Sequence, residues 1–117
     1  MTDARAMAEV LTRFADQFNR MPEMPRMTAG WDRAIAVRAA DAGWACGVRV
    51  AAGRMEVLPE APGAPQIVLE GPGDVLAGIF RGEVSPTEPY LDGTLRVQST
   101  EEDLLKLDVF TLLVWGE

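Results

Sequence analysis

Apolar residues recur along this chain with two periods. From residue 3 to 20, Met7, Val10, Leu11, Phe14 and Phe18 repeat at helical spacing, while Arg5, Glu9, Arg13, Asp16 and Arg20 fall largely elsewhere. That predicts an amphipathic helix, capped by Thr2 or Asp3, that covers one face of a sheet. Residues 21–30, MPEMPRMTAG, contain Pro22 and Pro25, which exclude a regular helix, so the stretch reads as a connector. Its three methionines suit either gaps at a core edge or an adaptable rim of a binding cavity. The period then changes to two. Trp31, Ile35 and Val37 share one side of a strand, with Asp32 and Arg38 on the other. Trp44, Cys46, Val48 and Val50 share a face of a second strand, opposite Ala45, Gly47 and Arg49. Asp41-Ala42-Gly43 joins the two as a hairpin, and residues 51–54 turn the chain into a third strand over Met55 to Leu58. Three prolines make residues 59–65 a loop, and Gln66 to Glu70 is a short strand expected near the sheet centre.

The next thirty residues hold several local signals in succession. Gly71-Pro72-Gly73 ends the apolar run, and Asp74 is placed to cap a short helix. Val75, Leu76, Ile79 and Phe80 form one face of that helix, and Gly82 stops it. Ser85-Pro86 reads as a cap followed by proline at the first helical position. Asp92-Gly93 is a turn, and Thr94 to Gln98 alternates as a strand. The last helix is expected over Ser99 to Trp115, with a capping box from Ser99 and Glu102 or from Thr100 and Asp103. Leu104, Leu105, Leu107, Val109, Phe110, Leu112, Leu113, Val114 and Trp115 point almost all round it. A surface helix keeps a polar face. This one is therefore buried on most sides, lines an apolar cavity, or joins a partner chain.

Composition narrows the function classes. A chain of 117 residues is read as one domain, residues 1–117, large enough for a core without staples. The net charge of −7 argues against a nucleic-acid partner and makes adsorption to an anionic membrane unfavourable unless charge is locally segregated. No apolar run is long enough to span a bilayer, and MTDARAMAEV lacks the apolar core of a secretory signal, so a cytoplasmic protein is expected. Ten of the eleven basic residues are arginine, which with many Ala, Gly and Pro suggests a GC-rich, bacterial genome.

Candidate chemistry is sparse. No histidine is present, so the commonest general base and metal ligand are missing. Cys46 is the only cysteine; it lies on an apolar strand face and reads as a small hydrophobe rather than a nucleophile. Gly71-Pro72-Gly73-Asp74 lacks the lysine of a phosphate cradle, and Asp74 would repel an anion. Glu83, Glu88 and Glu101-Glu102-Asp103 show no Ca²⁺-loop spacing and read as solvated surface. No catalytic residues, metal or cofactor are assigned, and the chain is read as a non-enzyme.

The order of elements from residue 70 onward, with Asp74, Leu76, Ile79, Gly82, Pro86, Gly93, Leu95 and Val97, resembles the sterol-carrier-protein-2-like (sterol-binding domain) family. The resemblance extends loosely over roughly residues 5 to 115; Pro89 and Ser99 depart from the small residue and the glycine usual there. It implies an α+β fold: about five strands, mostly antiparallel, covered by the N-terminal, middle and C-terminal helices, with an apolar tunnel. It also implies a lipid carrier that holds a fatty acid, acyl-CoA, sterol-like molecule or quinone non-covalently. Together with the all-round apolar helix, it points to Leu76, Ile79, Phe80, Leu104, Leu107, Phe110, Leu113 and Val114 as ligand-lining residues, with Trp44, Cys46 and Met55 from the sheet. The alternative is an accessory module that dimerises or docks on an enzyme through the last helix. Transient membrane contact fits the carrier reading.

Overall fold

The computed structural model describes residues 2–115, with the side chain of Trp115 outside that description. Helix α1 (Ala4–Arg20) opens the chain. Asp3 caps it, its carboxylate accepting from the Ala6 amide at 2.8 Å. Met7, Val10, Leu11, Phe14, Ala15 and Phe18 are buried, which is the expected stripe. The connector departs from expectation: Met24–Met27 forms a one-turn helix, α2. Pro25 is tolerated because the first turn requires no amide from it. Met24 is fully buried, and Met21 and Met27 lie against the core.

Five strands follow: β1 (Arg33–Ala39), β2 (Ala45–Ala51), β3 (Arg54–Leu58), β4 (Ile67–Gly71) and β5 (Arg96–Gln98). Their spatial order is β3-β2-β1-β4-β5. Three of the four pairings are antiparallel, and β1 pairs with β4 in parallel. The sheet is thus mostly antiparallel, as expected, with one parallel pair beside its centre. That pair exists because residues 59–66 carry the chain back across the outer face of the sheet. Gln66 ends this crossing: its amide donates to the Ala34 carbonyl at 3.0 Å, and its side-chain oxygen accepts from the Ala34 amide at 2.7 Å. At Gly47 a β-carbon would collide with the Ile35 carbonyl and with Pro62 of the crossing loop. On the inner face Ile35, Val37, Cys46, Val48, Val50, Met55, Ile67 and Leu69 are buried, while Arg38, Arg49, Arg54, Glu56 and Arg96 are exposed.

Helices α3 (Gly73–Phe80), α4 (Thr87–Leu91) and α5 (Glu101–Trp115) complete the cover with α1. Two caps differ from the sequence reading. Pro72, not Asp74, precedes α3, and Pro86, not Ser85, precedes α4. Asp74 instead sits in the first turn of α3 and ties down the start of the chain. Its Oδ1 accepts from the Thr2 amide at 2.8 Å and from the Thr2 hydroxyl at 2.6 Å. Those bonds, the hydroxyl's first, hold the Asp74 carboxyl below its ordinary range. Gly82 ends α3 with φ +78°, which glycine adopts without strain. Thr100 caps α5 by accepting from the Asp103 amide at 3.1 Å, which realises half of one expected capping box. Aromatic edges join the helices: Phe14 of α1 meets Phe80 of α3 at 5.1 Å, and Phe110 of α5 meets Phe18 of α1 at 5.6 Å and Trp31, just before β1, at 5.4 Å.

Candidate functional site: an apolar cavity beneath helix α5

Helix α5 divides its apolar residues among three faces. Leu107, Phe110 and Val114 are buried in the core, in line with Asp103. Leu104, Asp108 and Thr111 face a cavity, together with Leu107. Leu105, Val109, Leu112 and Leu113 are exposed, Leu112 by 69%. The helix is therefore buried along one stripe rather than on most sides.

Its first turn is pinned by a buried polar contact. Asp103 accepts from Trp31 Nε1 at 2.7 Å and from Arg33 Nε at 3.0 Å. Burial alone would raise the Asp103 carboxyl; hydrogen bonds from Arg33 and Trp31, and the charge of Arg33, outweigh it and hold the group below its usual range. Lys106 reaches the end of α2, donating to the Met27 carbonyl at 3.1 Å and lying 5.5 Å from the centre of the Trp31 ring. No buried side-chain polar atom lacks a partner among the described residues.

Beyond this anchor the helix spans the cavity. Leu69 of β4 and Val97 of β5, paired in register, form its floor with Leu95. Ile79 and Phe80 of α3, Pro86, and Thr87 and Tyr90 of α4 form one wall; Leu104, Leu107, Asp108 and Thr111 of α5 form the other. The Leu95 amide donates to the Pro89 carbonyl at 2.9 Å, which fixes α4 over the start of β5. The lining is almost wholly apolar, and the volume is about 100 Å³. That is below the roughly 300–1,000 Å³ of sites that enclose a drug-sized ligand.

Of the eleven expected lining residues, Ile79, Phe80, Leu104 and Leu107 border this cavity. Leu76, Phe110, Val114, Cys46 and Met55 are buried in the core instead, packed among α1, the sheet and one another. Trp44 is half-buried near the chain start, its Nε1 donating to the Thr2 carbonyl at 3.0 Å, and Leu113 is exposed. Leu69, Pro86, Thr87, Tyr90, Leu95, Val97, Asp108 and Thr111 also line the cavity and were not among the expected residues. The inward alternation of Leu95 and Val97 was a usable signal; the placement of Tyr90 and Thr87 depends on how α4 folds over β5.

Burial pushes the Cys46 thiol up to about 11, far from a reactive thiolate. Among the described residues, no three acidic or cysteine side chains gather as a metal site, and no helix is long and apolar enough to cross a membrane.

A mixed five-stranded sheet, with helices on one face enclosing an apolar cavity, defines a small α+β fold. It is the fold of sterol carrier protein 2. A UbiJ-SCP2 ubiquinone synthesis protein superposes with a TM-score of 0.72 at 16% identity, over 95% of this chain and 94% of that one. Sterol carrier protein domain 2 of Helicoverpa armigera gives 0.69 at 13% identity, over 99% and 91% of the two chains. Palmitated SCP2L2 from Aedes aegypti gives 0.62 at 8% identity, over 87% and 90%. By sequence the chain matches no family model and no curated protein.

Proposed function

We propose that this protein is a lipid carrier that holds an apolar chain non-covalently between α3, α4, β5 and α5. The observation that carries the reading is the almost wholly apolar cavity under a helix with apolar residues to spare. Burial of methylenes supplies the affinity, at about 0.8 kcal/mol per CH₂. At about 100 Å³ the cavity holds only a short segment, so a longer chain requires its walls to part. Such a wall reads chain length poorly, so binding is broad. The palmitated neighbour and the neighbour described as a ubiquinone synthesis protein support the same class of ligand. The role is one of shape and burial without catalysis.

Native mass spectrometry of gently purified protein, with organic extraction of what is released, tests this. The expected result is a lipid near one per chain, or its uptake on addition, and its loss in Val97→Trp, which fills the cavity from the edge strand. A clean ligand-free mass that does not shift on adding palmitate, a long-chain alcohol or a quinone analogue overturns the reading.

A second reading is favoured by the exposed Leu105, Val109, Leu112 and Leu113. Contiguous apolar surface of this kind marks interaction sites. On this reading α5 joins a second copy or an enzyme, and concentration-dependent sedimentation without extractable lipid would identify it.

A further inference from the structure

We infer that the cavity selects lipids with an uncharged head group, a hydroxyl above all, against carboxylates and phosphates, and that Asp108 is the selecting residue. The inference rests on the carrier reading and concerns the charges around its site. Of the residues that line the cavity, one is charged: Asp108, which is also exposed, so its carboxylate stands at the rim of an otherwise apolar space. Among the described residues its carboxylate has no hydrogen bond or ion pair. The basic residues of the surrounding elements are engaged or turned away. Lys106 donates to the Met27 carbonyl on another side of α5. Arg33 is held by Asp103, and Arg81 approaches Glu83 at 3.9 Å. Arg96 is exposed, one step along the strand from the cavity-lining Val97, and so faces the opposite side of the sheet. Residues 73–115, which frame the cavity, contain eight acids and three bases and so hold five of the seven net negative charges.

An anionic head group beside the exposed Asp108 therefore finds a like charge and no free cation, and the repulsion is that of a partly solvated pair. A hydroxyl has the opposite outcome. It can donate to the Asp108 carboxylate and accept from the hydroxyls of Thr87 or Tyr90, which line the same cavity. The Thr111 hydroxyl already donates to the Asp108 carbonyl at 3.0 Å and offers the head group an acceptor only.

The test is displacement of a fluorescent alkyl probe from the full chain by 1-dodecanol and by laurate, at mildly alkaline pH where laurate is ionised. The two competitors share a chain length, so the comparison isolates the head group. The wild-type protein is expected to prefer dodecanol by about tenfold, the size of one unit charge at a partly exposed site. Asp108→Asn is expected to narrow the gap, and Asp108→Lys to reverse it. Asp108 is exposed, so Asp108→Asn keeps the fold and the comparison valid. Laurate that competes as well as dodecanol, or a preference unchanged in both variants, overturns this inference and leaves the carrier reading standing. Failure of both competitors to displace the probe, or of the probe to bind, overturns the carrier reading and this inference with it.

Discussion

Helices α1 and α5 are similar in length and cover the same face of the sheet, yet they relate to it differently. In α1 the apolar residues form one stripe, and six of its residues are buried. In α5 the buried stripe is Leu107, Phe110 and Val114, and the remaining leucines and Val109 go to the cavity or to solvent. The end of the sheet under α1 is closed by Phe14 and Phe18 stacked edge-on against Phe80 and Phe110. The end under α5 keeps the cavity. The difference separates two uses of hydrophobic sequence. One region converts it into packing density, and the other keeps part of it unsatisfied, which is the condition for holding an apolar guest.

That comparison can be broken in three places. The largest effect belongs to α1: Phe14→Ala should lower stability by about 3–5 kcal/mol in urea unfolding, because a fully packed site leaves a cavity behind. An intermediate effect belongs to the anchor of α5. Asp103→Asn should cost about 2–3 kcal/mol, since Arg33 then loses its partner in a largely buried contact. The same variant should flatten the acid limb of the stability curve. Asp103 and Asp74 both titrate below their ordinary value of 3.8 in the fold, so the unfolded chain binds more protons there. Their stabilisation is complete above about pH 4 and is lost as pH falls through the lower, folded values. A wild-type acid limb that the substitution leaves unchanged would remove Asp103 from this role. The smallest effect belongs to the outer face of α5. Leu105→Gln with Leu112→Gln should change stability by less than about 0.5 kcal/mol, because both side chains are already in solvent. A large loss in that double variant would show that α5 is covered in solution, and sedimentation would show whether by a second copy.

The elements were legible where periodicity was strong. Met7 to Phe18 specified α1, and the alternation through Trp44 to Val50 specified the face of β2 that meets it. The short pieces were read less well. Pro25 sits at the start of a short helix where only a connector was expected, and Pro86 takes the cap position expected at Ser85, because the local signal only locates a turn and the neighbouring contacts choose its type. Asp74 carries the letter of an N-cap, but Thr2, distant in sequence, claims its carboxylate. The parallel pairing of β1 with β4 has no local signature at all; it follows from where residues 59–66 cross the sheet.

The candidate site shows the same division. Sequence alone determined that α5 has more apolar residues than one buried face can use, that the chain carries no histidine, and that its net charge is −7. These are properties of composition and period, and they survive any arrangement of the chain. Only the tertiary structure decided which apolar residues face a cavity. Leu104 and Leu107 border it, while Phe110 and Val114, a turn or two further along the same helix, are sealed against Phe18, Trp31 and the core. The reason is geometric. A cavity is a gap between elements, and its walls are set by the angles at which α3, α4, β5 and α5 meet, which no single element's pattern contains.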